Sequence, residues 1–293
     1  MPELPEVETI RRGLNRIIVG KIVQGSHNYN SPKSFPNAPG DVKQFLIGAS
    51  VVGVRRRAKV LLIDLSSSYT LVIHLKMTGQ LVFVDNDERW GGGHPSDSFI
   101  NNLPDNTTRE HIDFTDNSRL FFNDLRRFGW VKLYPTIEVP NINFMQRVGP
   151  EPLEDNFTAT DFIERIRRRN GTTAKAAILD QTTLAGVGNI YADESLWGAK
   201  IHPATRVRDV SDAQLADLLE NIKLVMNLSI EKGGSTDRNY VDAEGKRGSY
   251  LEFANVFRRE GQPCPRHPDV LIEKIRVAGR GTHVCRVCQP VPQ

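Results

Sequence analysis

The hydrophobic period of this chain changes once, near residue 135, and that change restricts the fold more than any other feature. Upstream, short β-rich runs fall at 51–54, 60–65, 71–75, 81–84, 111–115, 119–122 and 130–134. So many short strands predict an antiparallel sandwich or barrel, with Asp116-Asn117-Ser118 as a hairpin turn. Downstream, apolar residues recur at helical spacing over 160–169, 173–181 and 190–197. Ser211 caps a long helix that runs through Leu215, Leu218, Leu219, Ile222, Val225 and Met226 and stops at Gly233-Gly234-Ser235. The expected class is therefore α+β and multidomain.

Five further segments complete this layout. Before the strands, Val7, Ile10, Leu14, Ile17 and Ile18 share one face of a helix that begins near Pro5 and ends at Gly20. The polar stretch 85–109, with Gly91-Gly92-Gly93, reads as a long mobile loop between two strands. Residues 135–152 carry prolines at 135, 140, 150 and 152 and read as a linker. A second polar loop covers 235–249, and a short Cys/His module closes the chain.

Composition excludes several classes. With 293 residues, 39% hydrophobic and 8% aromatic, the chain can build ordinary cores, so wholesale disorder is ruled out. No apolar run approaches the ~18 residues of a membrane span, and the acidic start lacks the apolar centre of a secretory signal. Three cysteines, all near the end, do not form a disulfide scaffold; they point to metal and to a reducing cytoplasm. The net charge is only +3, but the basic residues are clustered: Arg55, Arg56, Arg57 and Lys59; then Arg165, Arg167, Arg168, Arg169 and Lys175. From Arg258 onward, seven basic residues face three acidic ones. Such clusters suit phosphate contacts or solvated faces.

The residues that carry chemistry lie at both ends. Removal of Met1 would expose the secondary amine of Pro2, and an α-amino group of pKa roughly 7.7–8 is partly neutral at pH 7. Such an amine can attack an aldehyde-level carbon to give an iminium, with Glu3 and Glu6 at hand to move protons. Alternatively, Pro2 is incidental and the glutamates complement a helix dipole. At the other end, Cys264 and His267, then Cys285 and Cys288, form two pairs with two-residue gaps, separated by seventeen residues. That spacing predicts one structural zinc ion. Gly186-Val-Gly188-Asn189 can bring backbone N–H groups close to a phosphate, or can simply make a tight helix connection. In Asn123 to Gly129, arginines flank Phe128, which is either a wedge for a base stack or a core residue.

Together these motifs resemble the formamidopyrimidine-DNA glycosylases, base-excision repair enzymes for oxidised purines. The resemblance runs nearly the whole length: the Met-Pro-Glu-Leu-Pro-Glu-Val-Glu start, Lys59 before a strand, the run His74 to Gly79, Arg126-Arg-Phe128-Gly, Gly186 to Asp193, and the paired-ligand finger. It implies an N-terminal antiparallel β-sandwich flanked by helices (1–134), a linker (135–149), a helix–two-turn–helix domain with a lesion-capping loop (150–255) and a zinc finger (256–293). The partner implied is damaged double-stranded DNA, bound between the halves by a monomer in the cytoplasm.

The same resemblance implies residue roles. Pro2 is the Schiff-base nucleophile at C1′, Glu3 the proton donor and Glu6 its support. Lys59 serves β-elimination and Arg280 δ-elimination. Met77, Arg126 and Phe128 fill the gap left by the flipped base, while Lys175, Asn189 and Arg280 hold phosphates, with Arg169 in the adjacent basic cluster. Ser235, Thr236 and Tyr240 lie in a loop resembling the one that caps oxidised purines. Three departures stand out: His267 replaces a usual cysteine, Arg109 replaces a phosphate-binding histidine, and the loop around 91–106 is long. Rival readings are an endonuclease VIII-like glycosylase for oxidised pyrimidines, a non-catalytic damage-binding protein and a zinc-containing transcription factor; retention of Pro2, Glu3 and Lys59 argues against the second.

Overall fold

The computed structural model describes residues 2–29, 31–85, 89–94, 96–235 and 250–292. The chain divides into two compact units, one from Met1–Gln146 joined by the stretch from Lys232, the other from Arg147–Glu231 and Tyr250–Gln293.

In the first unit, helix α1 (Leu4–Ile18) precedes strands β1 (Val23–Asn28), β2 (Val51–Arg57), β3 (Val60–Leu65), β4 (Tyr69–His74), β5 (Gly79–Val84), β6 (Arg89–Gly93), β7 (Thr108–Phe114), β8 (Arg119–Asp124) and β9 (Trp130–Pro135). They form two antiparallel sheets, ordered β1-β7-β8-β5-β6 and β2-β3-β4-β9. The shared core takes Val7, Ile10 and Leu14 from α1, Leu61, Ile63 and Ile73 from one sheet, and Phe83, Ile112 and Phe122 from the other. This is the expected sandwich. Strand β3 is buried at nearly every position, because its second face, through Val60 and Leu62, meets Val139, Ile142, Phe144 and Met145. The proline-rich segment expected as a linker is therefore not bare chain. It folds into short helical pieces at Thr136–Asn141 and Asn143–Arg147 that cover this sheet.

A second correction concerns the glycine run. Rather than lying in a mobile loop, Arg89–Gly93 is strand β6, paired antiparallel with β5. A Cβ at Gly91 would sit 2.5 Å from the Phe99 ring, and one at Gly92 would sit 2.7 Å from Ile10 of α1. The glycines thus mark close packing of the strand between a helix and a loop. Gly13 serves the same contact inside α1, where a Cβ would lie 2.7 Å from Trp90. The rest of the long stretch places Phe99 and Leu103 against Val82 and Phe121, covering part of the outer face of the five-stranded sheet. Strand β1 was not apparent in the sequence either; its burial is mostly partial, as befits an edge strand.

The second unit holds α2 (Ala159–Arg167), α3 (Ala174–Leu179), α4 (Asn189–Gly198) and α5 (Asp212–Glu231), then the hairpins β10 (Pro263–Cys264)/β11 (His267–Leu271) and β12 (Glu273–Val277)/β13 (Arg280–Val284). Thr158 and Asp161 form a capping box on α2, and Ser211 accepts from the Gln214 N–H at 3.2 Å, which makes it the start signal the sequence implied. Among the described residues no helix is long and apolar enough to cross a membrane.

Candidate active site and metal centre

Pro2 is buried beside the N-terminus of α1. There Glu6 makes three bonds with its two oxygens: Oε2 accepts from the Glu3 N–H at 2.8 Å, and Oε1 accepts from the Ser235 N–H at 2.8 Å and the Ser235 hydroxyl at 2.6 Å. Glu3 is 5% exposed. One carboxylate therefore ties the first helical turn to the start of the distant polar loop. Thr236 and Tyr240 lie outside the described residues.

Lys59 is buried in the turn between β2 and β3, next to Val60, which pairs with His74. Burial, reinforced by the charges of Lys76 and Lys59, brings the His74 imidazole down to about 3, so this ring is neutral. His74 stands within the run that carries the resemblance, but no role was assigned to it; its register opposite Val60 is visible only once the strands are paired.

Met77, Arg126 and Phe128 lie on two loops locked together. Asp124 accepts from the Thr78 hydroxyl, from the Gly129 N–H at 2.6 Å and from the Arg126 N–H at 3.2 Å, while Thr78 Oγ1 also accepts from the Arg126 N–H at 2.9 Å. This buried network holds the 75–79 turn against the 125–129 loop. Above it, Phe128 is 55% and Met77 38% exposed, and the Arg126 guanidinium lies 4.9 Å from the Phe128 ring centre. Phe128 is therefore not a core residue. Asp124 and Thr78 were missed by sequence reasoning, although a carboxylate just before an exposed basic-aromatic loop is the available signal.

Arg109 is not presented to solvent. It is 4% exposed, and its Nε donates to the Asp124 carbonyl at 2.9 Å. Lys175 is likewise buried completely: Nζ donates to Asp193 Oδ1 at 2.6 Å, Thr282 Oγ1 at 2.7 Å and the Gly281 carbonyl at 3.2 Å. Both therefore act here as internal ties rather than surface cations, because each finds acceptors in a strand or hairpin distant in sequence. Asp193 also accepts from the His283 N–H at 2.9 Å and faces its Nδ1 at 3.0 Å. The β12–β13 hairpin is thereby fixed, with Arg280 exposed at its tip. Asn189, at the first turn of α4, donates to the Gly281 carbonyl at 3.1 Å, which brings it beside Arg280. Arg169 is exposed and paired with Asp180 at 2.6 Å.

Cys264, His267, Cys285 and Cys288 converge, with all four ligand atoms within 4.8 Å of one another, so they are positioned to hold a metal ion. Cys264 Sγ lies 3.7 Å from Cys288 Sγ, and His267 Nδ1 lies 3.2 Å from Cys288 Sγ and 3.9 Å from Cys285 Sγ. Burial, then the neighbouring Cys285 and Cys264, push the Cys288 thiol up to about 12. Burial also opposes ionisation of Cys264, but the backbone N–H groups of Arg266 and His267 and the Cys285 and Trp197 hydrogen bonds bring it down to about 6. A cation held at the centre would favour the deprotonated form of these crowded sulfurs.

The family model described as "Formamidopyrimidine-DNA glycosylase N-terminal domain" matches residues 1–131, and the one described as "Formamidopyrimidine-DNA glycosylase H2TH domain" matches residues 148–240. The formamidopyrimidine-DNA glycosylase of Herpetosiphon aurantiacus is 41% identical over 290 residues, covering 99% of this chain and 100% of that relative. The chain belongs to the formamidopyrimidine-DNA glycosylase family. A second member, from Pediococcus pentosaceus, is 40% identical over 291 residues, covering 99% of each chain. Among solved structures of the family, a mutant of the Lactococcus lactis glycosylase with DNA containing Fapy-dG superposes with a TM-score of 0.85 at 32% identity, covering 99% of this chain and 100% of that one. The same bacterium's glycosylase, non-covalently bound to DNA with an abasic site, gives 0.83 at 31% identity, again over 99% and 100%. These are DNA-repair enzymes, and the β-sandwich, helical and Cys/His finger elements are those of this glycosylase fold.

Proposed function

We propose that this chain excises oxidised purines, 8-oxoguanine and formamidopyrimidines, from duplex DNA and then cleaves the strand as an abasic-site lyase. The observation that carries the reading is the arrangement at the front of α1, where Pro2 and Glu3 sit beside a Glu6 carboxylate bound to Ser235. Relatives of the same length have been solved with Fapy-dG and abasic-site DNA, which supports that substrate class.

In this mechanism Met1 is removed and the Pro2 nitrogen lone pair attacks C1′. The bond from C1′ to the base breaks, its electron pair leaves with the base, and the base takes up the proton lost from the Pro2 nitrogen. Glu3 donates a proton to the sugar ring oxygen as the ring opens, giving an iminium. The iminium acidifies the C2′ proton, so loss of that proton with Lys59's help expels the 3′ phosphate. Arg280 serves the following δ-elimination and grips phosphate, alongside Asn189. Met77, Arg126 and Phe128 occupy the vacated stack, offsetting part of the few kcal/mol that flipping costs. Lys175 and Arg109 contribute by holding the Arg280 hairpin and the Phe128 loop. Arg169 supplies a peripheral phosphate contact once released from Asp180. The four ligands at the end of the chain hold one zinc ion, whose role is to staple the finger; a zinc–thiolate tetrahedron has sulfur–sulfur edges of about 3.8 Å, close to the 3.7 Å between Cys264 and Cys288. The enzyme works as a cytoplasmic monomer.

Borohydride should trap a covalent complex between the processed protein and duplexes containing 8-oxoguanine, and Pro2→Gly should abolish or greatly weaken it. A panel of oxidised purines, oxidised pyrimidines and abasic sites separates the readings. Preferential trapping on oxidised pyrimidines would replace the purine assignment, and undiminished cleavage by an N-terminally extended chain would remove the amine mechanism.

A further inference from the structure

On the outer face of the five-stranded sheet, two histidines and an aspartate converge. Strand β1 pairs with β7 so that His27 lies opposite His111 and Gly25 opposite Asp113. The alternation of strands places these four residues on one face. His27 Nε2 is 2.9 Å from Asp113 Oδ2, His111 Nε2 is 3.3 Å from Asp113 Oδ1, and the two imidazoles stack with centroids 4.6 Å apart. The three ligand atoms all lie within 4.8 Å of one another.

We propose that His27, His111 and Asp113 form a second metal site, for a divalent transition-metal ion of the zinc and cobalt class, which ties edge strand β1 to β7. Two imidazoles and one carboxylate are a donor set that such ions favour over magnesium or calcium. Metal–ligand bonds near 2.0–2.1 Å require ligand separations of about 3.3–3.4 Å, so the side chains need move only slightly.

Two further features support the assignment. Tyr29 places its hydroxyl 2.8 Å from His111 Nδ1, the nitrogen that does not face the site. With the hydroxyl oxygen accepting from Nδ1–H, the tautomer leaves the Nε2 lone pair for the ion, as in outer-shell support of metal-bound histidines. Gly25 supplies the room. A Cβ there would lie 3.1 Å from Asp113 Oδ2 and 3.3 Å from His27 Nε2, within the space that an ion and its water would use. Arg119 is the opposing feature, with Nε 3.9 Å from Asp113 Oδ1; its side chain is half exposed and free to swing aside.

The test is titration of the full chain with Co2+ and Zn2+. Wild type should take up two equivalents, one showing the thiolate charge-transfer absorption of the Cys/His finger and one showing only d–d bands. His27→Ala, at an exposed position, should lose the second class of site or weaken it at least tenfold while keeping the first. Gly25→Val, which removes no ligand, should do the same by filling the space. A wild-type protein with thiolate-type binding alone, or variants that retain the d–d bands at unchanged affinity, would overturn the proposal.

Discussion

Glu8 shows how α1 is anchored to the sandwich, which in turn places Pro2. Its carboxylate meets Arg11 at 2.9 Å, Arg12 at 2.9 Å and, from β2, Arg56 at 3.2 Å. Burial raises its pKa, but hydrogen bonds from Arg11 and Arg12 and the charges of Arg11 and Arg56 outweigh this and bring it down to about 2, from 4.5. A carboxylate whose folded pKa is depressed contributes stability above its unfolded pKa and loses it as the pH falls through the folded value. Glu8→Gln should therefore cost about 1–2 kcal/mol near pH 7, after allowance for solvent screening. That difference should shrink between pH 4.5 and about 2. Urea denaturation of both proteins across this range checks it; a gap independent of pH would place the anchor elsewhere. At this scale the sequence distinguished residue types better than their surroundings. The motif holding Pro2, Glu3 and Glu6 was legible because it is contiguous. The burial of Lys175 was not, because its partners Asp193 and Thr282 are 18 and 107 residues away.

Elements were legible where alternation or helical spacing was strong. Strand β3 was found over its full extent, and the five helical segments α1 to α5 were found with small errors at their ends. One exception was β6, whose three glycines imitate a loop although each contact requires the absence of a side chain. Gly92→Val should overpack the junction of α1, β5 and β6 and cost about 1–3 kcal/mol or more, read as a lowered melting temperature. Gly53→Ala in β2, where a Cβ meets nothing within 4 Å, should leave stability within about 0.5 kcal/mol. Equal effects from both would show that backbone entropy, not packing, governs these glycines. Strand β1 escaped notice for a different reason: an edge strand buries little, so Gln24 to Asn28 lacks a clean apolar alternation.

At the scale of the whole molecule, the two units have separate cores held by different means. The first encloses a large apolar interior between sheets. Among the described residues, the C-terminal part of the second has a small cluster formed by Trp197, Val256, Ile272 and the three cysteines, so a metal held by the four ligands would add to the order that apolar burial gives. It is fastened to the helices by Lys175–Thr282 and His283–Asp193 and by Glu194, which accepts from the backbone N–H groups of Asn255, Val256 and Phe257. Chelation should therefore act selectively. Hydrogen exchange with a strong chelator should show peptides from β10 to β13 losing protection by at least tenfold, while peptides from β3 and β4 keep theirs. Binding to abasic-site duplex should fall in parallel, because Arg280 stands on the β12–β13 hairpin. His267→Cys should keep the metal and the protection, and His267→Ala should weaken both. If chelation leaves β10 to β13 protected, the fastenings to α3 and α4 hold the hairpins without a metal, and the four ligands are dispensable for folding.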